Sequence, residues 1–356
     1  MAVGWFIPEK LNRQNMKEED KQRNVHWGHS LRCLEWDQNE TITESQEMIS
    51  STVHEWYDAK HRRSSEEEIK LINSRKMENC PNCGSSKIVS NGKYTSGIKR
   101  YLCQDCRTSF CALTRTIFED RKIPISEWVE YLMHLFEFHS IRSSARDNRN
   151  ANSTGKYWLI KVFAVLKDIQ SDVMLSGDIY LDEMFFPVVK HKEVLKNGKK
   201  LKGISRNKIA VAVAHDSNGN FLFIVENTSK PSDKSTWKAL GTHIKEESHL
   251  IHDGERSHGI LVRKLNLTET VYSTQETKGL SDKDNPLDPV NDIHSLAKRF
   301  MKEHGGYNRD DLQDWMNLIW FIFSKPDNRY EKIDKFINLA LCASKRVKFR
   351  DVMCKM

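Results

Sequence analysis

Four cysteines and two carboxylates carry the chemistry that this sequence advertises. Cys80-Pro-Asn-Cys83 and Cys103-Gln-Asp-Cys106 are two Cys-x-x-Cys pairs. Each pair suits a tight turn that aims two thiolates at one point. Between them, Lys87–Ser90, Asn91-Gly92 and Ile98–Leu102 read as strand, turn and strand, because Asn-Gly favours the left-handed backbone of a short hairpin turn. A hairpin returns the second pair beside the first, and four thiolates at the corners of a tetrahedron are the ligand set of a structural Zn²⁺. Four sulfur ligands leave no open position for a substrate, so such an ion would hold the fold. Cys111 lies beyond the second pair and reads as packing.

The carboxylates stand on a different framework. Gly177–Phe186 is apolar and aromatic and reads as a buried strand, yet it carries Asp182 and Glu183 side by side. Neighbours on a strand point to opposite faces, so at most one of the two faces a given site. A carboxylate on a core strand is costly unless it is paired or binds a metal. The bland alternative is a strand that ends there, with both acids in water. His249–Ile251, a short apolar strand, runs into His252-Asp253-Gly254 and again puts an acid at a strand end. If the two strands lie side by side in a mixed sheet, Asp182 and Asp253 come within reach of each other. They then repel unless a cation sits between them. Oxygen ligands suit Mg²⁺ or Mn²⁺, and two such ions clamp the attacking and leaving oxygens of an in-line phosphoryl displacement.

The remaining elements must position these groups. Ile209–Ala214, a turn at Ser217–Asn220 and Phe221–Val225 form a β-hairpin that follows the first strand. Ser235–His243 reads as a helix, and Val290–Lys302 is another, with Ile293, Leu296, Ala297 and Phe300 on one face. Leu312–Phe323 is a further helix, and the last thirty or so residues read as a helix and a basic tail. Upstream, Ser126–Phe138 starts with a Ser placed to cap a helix just after Pro124. Ser140–Arg149 is short and polar, and Tyr157–Leu166 is a strong helix. This is either a helix-turn-helix or a generic helical linker. In the first case Arg142, Arg146, Arg149 and Lys156 supply phosphate contacts. The basic run Lys190–Lys208 is a loop or hairpin tip, either solvated surface or a DNA contact. Residues 1–78 are polar, with exposed helices expected over Glu44–Lys76.

Composition sets the bounds. The chain has 356 residues, 38% hydrophobic and 29% charged, as in soluble globular proteins. Lys and Arg number 56 against 49 Asp and Glu, a net charge of +7 that permits a nucleic-acid partner. The start lacks the basic and apolar runs of a signal peptide, and no apolar stretch approaches the ~20 residues that span a membrane. A cytoplasmic protein is expected. Its eight cysteines are then reduced thiols or metal ligands.

Taken in order, these motifs resemble the bacterial insertion-sequence transposases that join an N-terminal zinc ribbon to an RNase H-like DDE catalytic domain (ISXO-like). The resemblance rests on Cys80-x-x-Cys83 with Arg100–Phe110 running into Thr114–Phe118, then Leu181-Asp-Glu183, His252-Asp-Gly254 and Val290–Lys298. It covers about residues 79–325. It implies an α/β fold, an RNase H-like mixed sheet with flanking helices, behind a small zinc ribbon and a helix-turn-helix-like segment. The implied divisions are a ribbon over 79–117, a DNA-binding segment over 118–172, a catalytic domain over 173–325 and a C-terminal helix and tail over 326–356, with residues 1–78 outside. It implies catalytic, magnesium-binding Asp182 and Asp253, with Asn291 as the third ligand where Glu is usual. An amide brings no charge and holds a second ion more weakly. Lys298, seven residues on and on the same helix face, would hold a DNA phosphate. His294 shares that face. The implied activity is metal-dependent cleavage and strand transfer on double-stranded DNA, at terminal inverted repeats and target, by a homo-oligomer. A repurposed zinc-ribbon DNA-binding protein without catalysis is the alternative.

Overall fold

The computed structural model describes residues 65–121, 123–148, 150–281 and 284–353. The expectations for residues 1–64, and the position of Arg149, fall outside them. Two compact units emerge. One comprises the described residues up to Ile160 together with those from Ile337 on, and the other Lys161–Phe336.

The first unit opens with helix α1 (Ser65–Ser74) and a three-stranded antiparallel sheet, β1 (Ile88–Lys93), β2 (Lys99–Cys103) and β3 (Ser109–Phe110), in that order. The expected hairpin is present, but its turn is not at Asn91-Gly92. The register slips between Ser90↔Tyr101 and Lys93↔Lys99, so Asn91-Gly92 forms a bulge inside β1, with Gly92 at φ 71°. The chain reverses at Tyr94–Gly97 instead, where Tyr94 N–H donates to Ile98 O and Gly97 takes φ 83°. A left-handed residue serves a bulge as well as a turn. The dipeptide alone does not distinguish the two.

Next come α2 (Ser126–Phe136), α3 (Ile141–Asp147) and α4 (Asn152–Leu166). Ser126 begins α2 but does not cap it. The capping position is Ile125, and the Ser126 N–H is taken by the Glu68 carboxylate of α1 at 3.2 Å. Ser140 does cap α3, accepting from Ser143 N. Helices α3 and α4 cross closely: a methyl group at Gly155 would sit 2.8 Å from Ala145 Cβ. Trp128 stacks on Trp158 with centroids 4.4 Å apart, and the buried Tyr131 hydroxyl donates to Gly155 O. The result is a tightly packed helix, short helix, turn and helix.

The second unit is built on a five-stranded mixed sheet. Its strands are β4 (Asp178–Pro187), β7 (Lys208–Asp216), β8 (Phe221–Thr228), β9 (His249–His252) and β10 (Thr268–Val271), in the order β10-β9-β4-β7-β8. A two-stranded ribbon, β5 (Leu195–Lys196) with β6 (Lys199–Lys200), interrupts the β4–β7 connection. Strand β4 pairs in parallel with β9, which pairs in parallel with β10, while β7 is antiparallel to both β4 and β8. This order, with one reversed strand, is an RNase H-like sheet. The fifth strand, β10, was not expected from the sequence: Thr268-Glu-Thr-Val271 is polar because it lies at the edge.

Helices α5 (Asp233–Leu240) and α6 (Gly259–Leu265) cover one face, burying Ile179, Leu181, Ala212, Ala214, Leu222 and Leu250 among Leu240, Leu261 and Leu265. Helix α7 (Asp288–Glu303) packs on β4 and β7 through Val290, His294, Ala297 and Met301. Helix α8 (Leu312–Phe323) closes the β8 edge with side chains. Gln313 Oε1 accepts from Val225 N at 2.8 Å, and Trp320 Nε1 donates to Phe221 O at 2.7 Å. An edge satisfied in this way cannot recruit a further strand. Helix α9 (Arg329–Cys342) follows. Among the described residues no helix is long and apolar enough to cross a membrane.

Candidate functional site

The four ribbon cysteines converge. Cys80 Sγ lies 3.7 Å from Cys106 Sγ, Cys83 Sγ lies 3.6 Å from Cys103 Sγ, and all four sulfurs are within 4.8 Å of one another. A tetrahedral zinc with arms of ~2.3 Å sets its sulfurs about 3.8 Å apart, so the cluster fits that ion. Gly84 at φ 78° and Arg107 at φ 59° follow the two knuckles and turn the chain away. Hydrogen bonds from the Thr108 side chain and backbone pull the Cys106 thiol down, while burial and the neighbouring thiols push Cys83 up. Phe110 and Tyr101 stack behind the knuckles at 5.7 Å, a very small core. Cys111 stays outside the cluster, with its backbone N–H on Thr114 Oγ1.

Asp182 and Asp253 stand on neighbouring strands, just past the last rung of the parallel pair β4–β9. Leu181↔His252 is the last rung of that ladder, so Asp182 and Asp253 are the next residues on two adjacent strands. Asp182 is one-quarter exposed, and its Oδ1 accepts from Glu183 N at 2.7 Å. Burial first, and then the charges of Asp253 and Glu183, push its carboxyl up to about 7. Asp253 Oδ1 accepts from Glu255 N at 2.9 Å, which holds the turn after β9. A divalent ion is the natural relief for two such groups.

Helix α7 supplies the third partner. His294 is 5% exposed, with Nδ1 3.8 Å from Asp182 Oδ2. Burial, and then Lys298, push its imidazole down to about 4, so it is neutral, and its Nε2 is buried with no hydrogen-bond partner. Asn291 is half-buried and Lys298 exposed, one turn before and one turn after His294 on the same flank of α7. His294 brings this flank of α7 up to Asp182. Its place at i+3 was visible in the sequence; its burial was not.

Behind the sheet lies a chain of groups that the sequence did not reveal. Glu183, 8% exposed, points away from Asp182, and its Oε1 is 2.7 Å from Nε2 of the fully buried His258. His258 Nδ1 lies 3.0 Å from His252 Nδ1, and His252 Nε2 lies 3.3 Å from Glu269 Oε2. Gly254 N–H also donates to His252 Nδ1, at 3.2 Å. That nitrogen is therefore the acceptor, so His258 Nδ1 carries a proton and His252 Nε2 donates to Glu269. Burial lowers the pKa of His258, but its bond to Glu183 and the charges of Glu183, Asp253 and Glu226 outweigh burial and raise it. The Asp253 carboxylate and both histidines lie within 4.8 Å of one another. With its Nδ1 lone pair taken by Gly254, His252 fits a hydrogen-bond relay better than a metal. Glu226, the extra residue of a bulge in β8, is buried nearby and pushed up to about 7 by burial and then by Glu183. A His six residues after His252 was the only sequence signal for this relay.

Arg142, Arg146 and Lys156 are exposed on α3 and α4; Arg146 also faces Asp147 at 3.5 Å.

Comparison with known proteins agrees with this layout. Residues 78–107 match the zinc-ribbon family described as the InsA N-terminal domain. A protein of transposable element ISH50 from Halobacterium salinarum (strain ATCC 700922 / JCM 11081 / NRC-1), itself uncharacterised, is 21% identical over 261 residues, covering 69% of this chain and 86% of the relative. Two solved structures show a distant likeness. A pre-cleavage Mos1 transpososome matches at 11% identity over 61% of this chain and 78% of that one, with a TM-score of 0.24. A Mos1 transposase paired-end complex with the left transposon end matches at 12% over 64% and 82%, with a TM-score of 0.23. At such TM-scores the likeness says nothing about the site. The ribbon at residues 78–107 is thus similar to the InsA type, and over 69% of its length the chain is similar to a transposable-element protein.

Proposed function

We propose that this protein is a transposase that cleaves DNA at the ends of an insertion sequence and joins the freed 3′-OH to target DNA. The observation that carries the reading is the pair Asp182 and Asp253, each the next residue after the last rung of the β4–β9 ladder, with Asp182 held at about 7. Asp182, Asp253 and the Asn291–His294 flank of α7 would hold Mg²⁺ or Mn²⁺. Such an ion would supply Lewis-acid activation of the attacking and leaving oxygens. Lys298, exposed beside that flank, would bind a DNA phosphate. The ribbon and the helices over 118–172 would hold the terminal inverted repeats, through Arg142, Arg146, Arg149 and Lys156, with two or more copies on the DNA. The catalytic unit spans about 173–325 in this reading, and residues 326–356 follow it.

One observation favours a second reading. The α7 partner of Asp182 is a neutral imidazole beside an amide, where a third carboxylate would bind a second ion more tightly. A zinc-ribbon DNA-binding protein without strand cleavage is compatible with that. The test is incubation of the purified protein with duplexes carrying the element's ends and Mg²⁺ or Mn²⁺. Nicks at the ends that vanish in Asp182→Asn support the transposase; tight binding without cleavage under any divalent metal supports the second reading.

A further inference from the structure

The connection between β4 and β7 joins two antiparallel neighbours whose last pair is Pro187↔Lys208. Two residues would close such a hairpin. Here a much longer arm leaves at Val188 and returns at Asn207. Residues 190–208 hold Lys190, Lys192, Lys196, Lys199, Lys200, Lys202, Arg206 and Lys208 against a single acid, Glu193, an excess of seven. The whole chain's excess is also seven, 56 basic residues against 49 acidic. Outside this arm the protein is formally neutral.

The arm is a built element. Asn207, 2% exposed, clasps its base: Oδ1 accepts from Val194 N at 2.6 Å, and Nδ2 donates to Val194 O at 3.0 Å. Lys192 is tied to Asp310 at 3.0 Å, and Lys200 to Glu193. Asn197 and Gly198, both at positive φ, make the tip turn between β5 and β6. In that ribbon Lys196 and Lys199 stand directly opposite each other. Like charges at that position destabilise a hairpin. A turn that only had to be soluble would be better served by a Lys–Glu or Thr–Thr pair. Below the tip, a cleft of about 570 Å³ is lined by Pro187, Lys199, Lys200, Leu201, Lys202 and Lys208.

We infer that this arm is a docking surface for the phosphate backbone of duplex DNA, reached through Lys196, Lys199 and Lys202. The inference rests on the transposase reading for the identity of the polyanion. Self-repelling lysines on a two-stranded ribbon suit a ligand with regularly spaced negative charges and no sequence preference. Asp182 is five residues up β4 from Pro187, ~17 Å along an extended strand. A duplex lying along β4 would meet the arm about five nucleotides from the phosphate at the candidate metal centre, at ~3.4 Å per step.

The experiment uses the full chain with its zinc and a fluorescent 30-bp duplex of arbitrary sequence, with anisotropy titrations from 50 to 200 mM NaCl. The triple variant Lys196→Gln, Lys199→Gln, Lys202→Gln should lower the slope of log affinity against log salt by about 2–3, roughly 0.9 for each phosphate no longer neutralised. Affinity at 100 mM salt should fall at least tenfold. Lys199→Glu should also weaken binding while its melting temperature stays level or rises, because it places an opposite charge across from Lys196. That combination separates a binding role from a folding one. An unchanged slope and affinity in the triple variant overturns the inference. So does loss of binding to phosphatidylserine vesicles with duplex binding intact. An unsubstituted protein that cleaves nothing, but whose salt slope still depends on the three lysines, removes the transposase reading and leaves the arm. A cleaving protein whose slope ignores them does the reverse.

Discussion

Asp182→Asn should stabilise the magnesium-free protein at neutral pH while ending any strand cleavage. Most point substitutions destabilise, so the sign itself is informative. Asp182 stands at about 7 in the folded chain against an ordinary 3.8. The folded state therefore holds a proton that the unfolded state has released at pH 5. For a raised carboxyl, the stabilising contribution is complete below about pH 4 and is lost as pH rises through 7. Between pH 5 and pH 8 the loss is about 2–3 kcal/mol, at about 1.4 kcal/mol per pH unit of separation. In a unit of this size that is about 5–10 °C in melting temperature. Asparagine carries no charge, and its carbonyl can still accept from Glu183 N as Asp182 Oδ1 does. The assay is thermal unfolding of both proteins at pH 5 and pH 8, in magnesium-free buffer without a chelator, so that the ribbon zinc stays. Wild type should lose stability between the two pH values by that amount more than the variant. Glu226 titrates in both proteins and cancels in the difference. Millimolar Mg²⁺ at pH 8 should restore the wild type and leave the variant unchanged. Parallel curves for the two proteins, or a variant less stable than wild type at pH 8, would refute a buried, cation-seeking carboxylate.

Further outcomes are expected elsewhere. Cys83→Ser should release one zinc per chain, read by metal analysis, and abolish protection of residues 80–106 from proteolysis, because Phe110 and Tyr101 leave that segment little other core. Neutralising Arg142, Arg146 or Lys156 singly should flatten the salt dependence of DNA binding by about one unit of slope each. His294→Ala should raise the Mg²⁺ or Mn²⁺ concentration for half-maximal cleavage more than Asn291→Ala does, since His294 Nδ1 lies 3.8 Å from Asp182 Oδ2; a larger shift for Asn291→Ala would make Asn291 the stronger ligand of the two. His258→Ala leaves Glu183 buried and unpaired and should cost about 3–5 kcal/mol in urea unfolding, with much of the loss recovered by adding Glu183→Gln.

The parts of this molecule set by local spacing could be read directly. Two Cys-x-x-Cys pairs around a hairpin have one economical solution, and the four sulfurs adopt it. Strands β4, β7, β8 and β9 announced themselves by apolar runs; their order allowed β4 and β9 to lie side by side, and the sheet places them so. What could not be read depends on partners far apart in sequence. The Ser126 N–H is satisfied by Glu68 and not by a local cap. Glu183 meets His258 across 75 positions. His294 is buried because α7 lies on β4 and β7, and nothing in the helix itself says so. Asn91-Gly92 had two uses open to it, turn and bulge, and only pairing with β2 chose between them.

The adjacent acids of β4 also make the strand's phase visible. Asp182 and Glu183 occupy opposite sides of one backbone, and every other residue of β4 follows one or the other. Deleting a single residue upstream of them would rotate the set: Glu183 would turn toward α7, and Asp182 would enter the apolar layer beneath α5 and α6. A carboxylate would still face the candidate centre, one methylene longer, but Leu181 would leave the core with it and His258 would lose its acid, facing Met184 in the place of Glu183. The strand is thus tolerant of a shift in the identity of its front-facing acid and intolerant of the same shift in its packing. Suppressor substitutions of a one-residue deletion in β4 should accordingly arise in α5, α6 and His258, on the side of the sheet away from the chemistry.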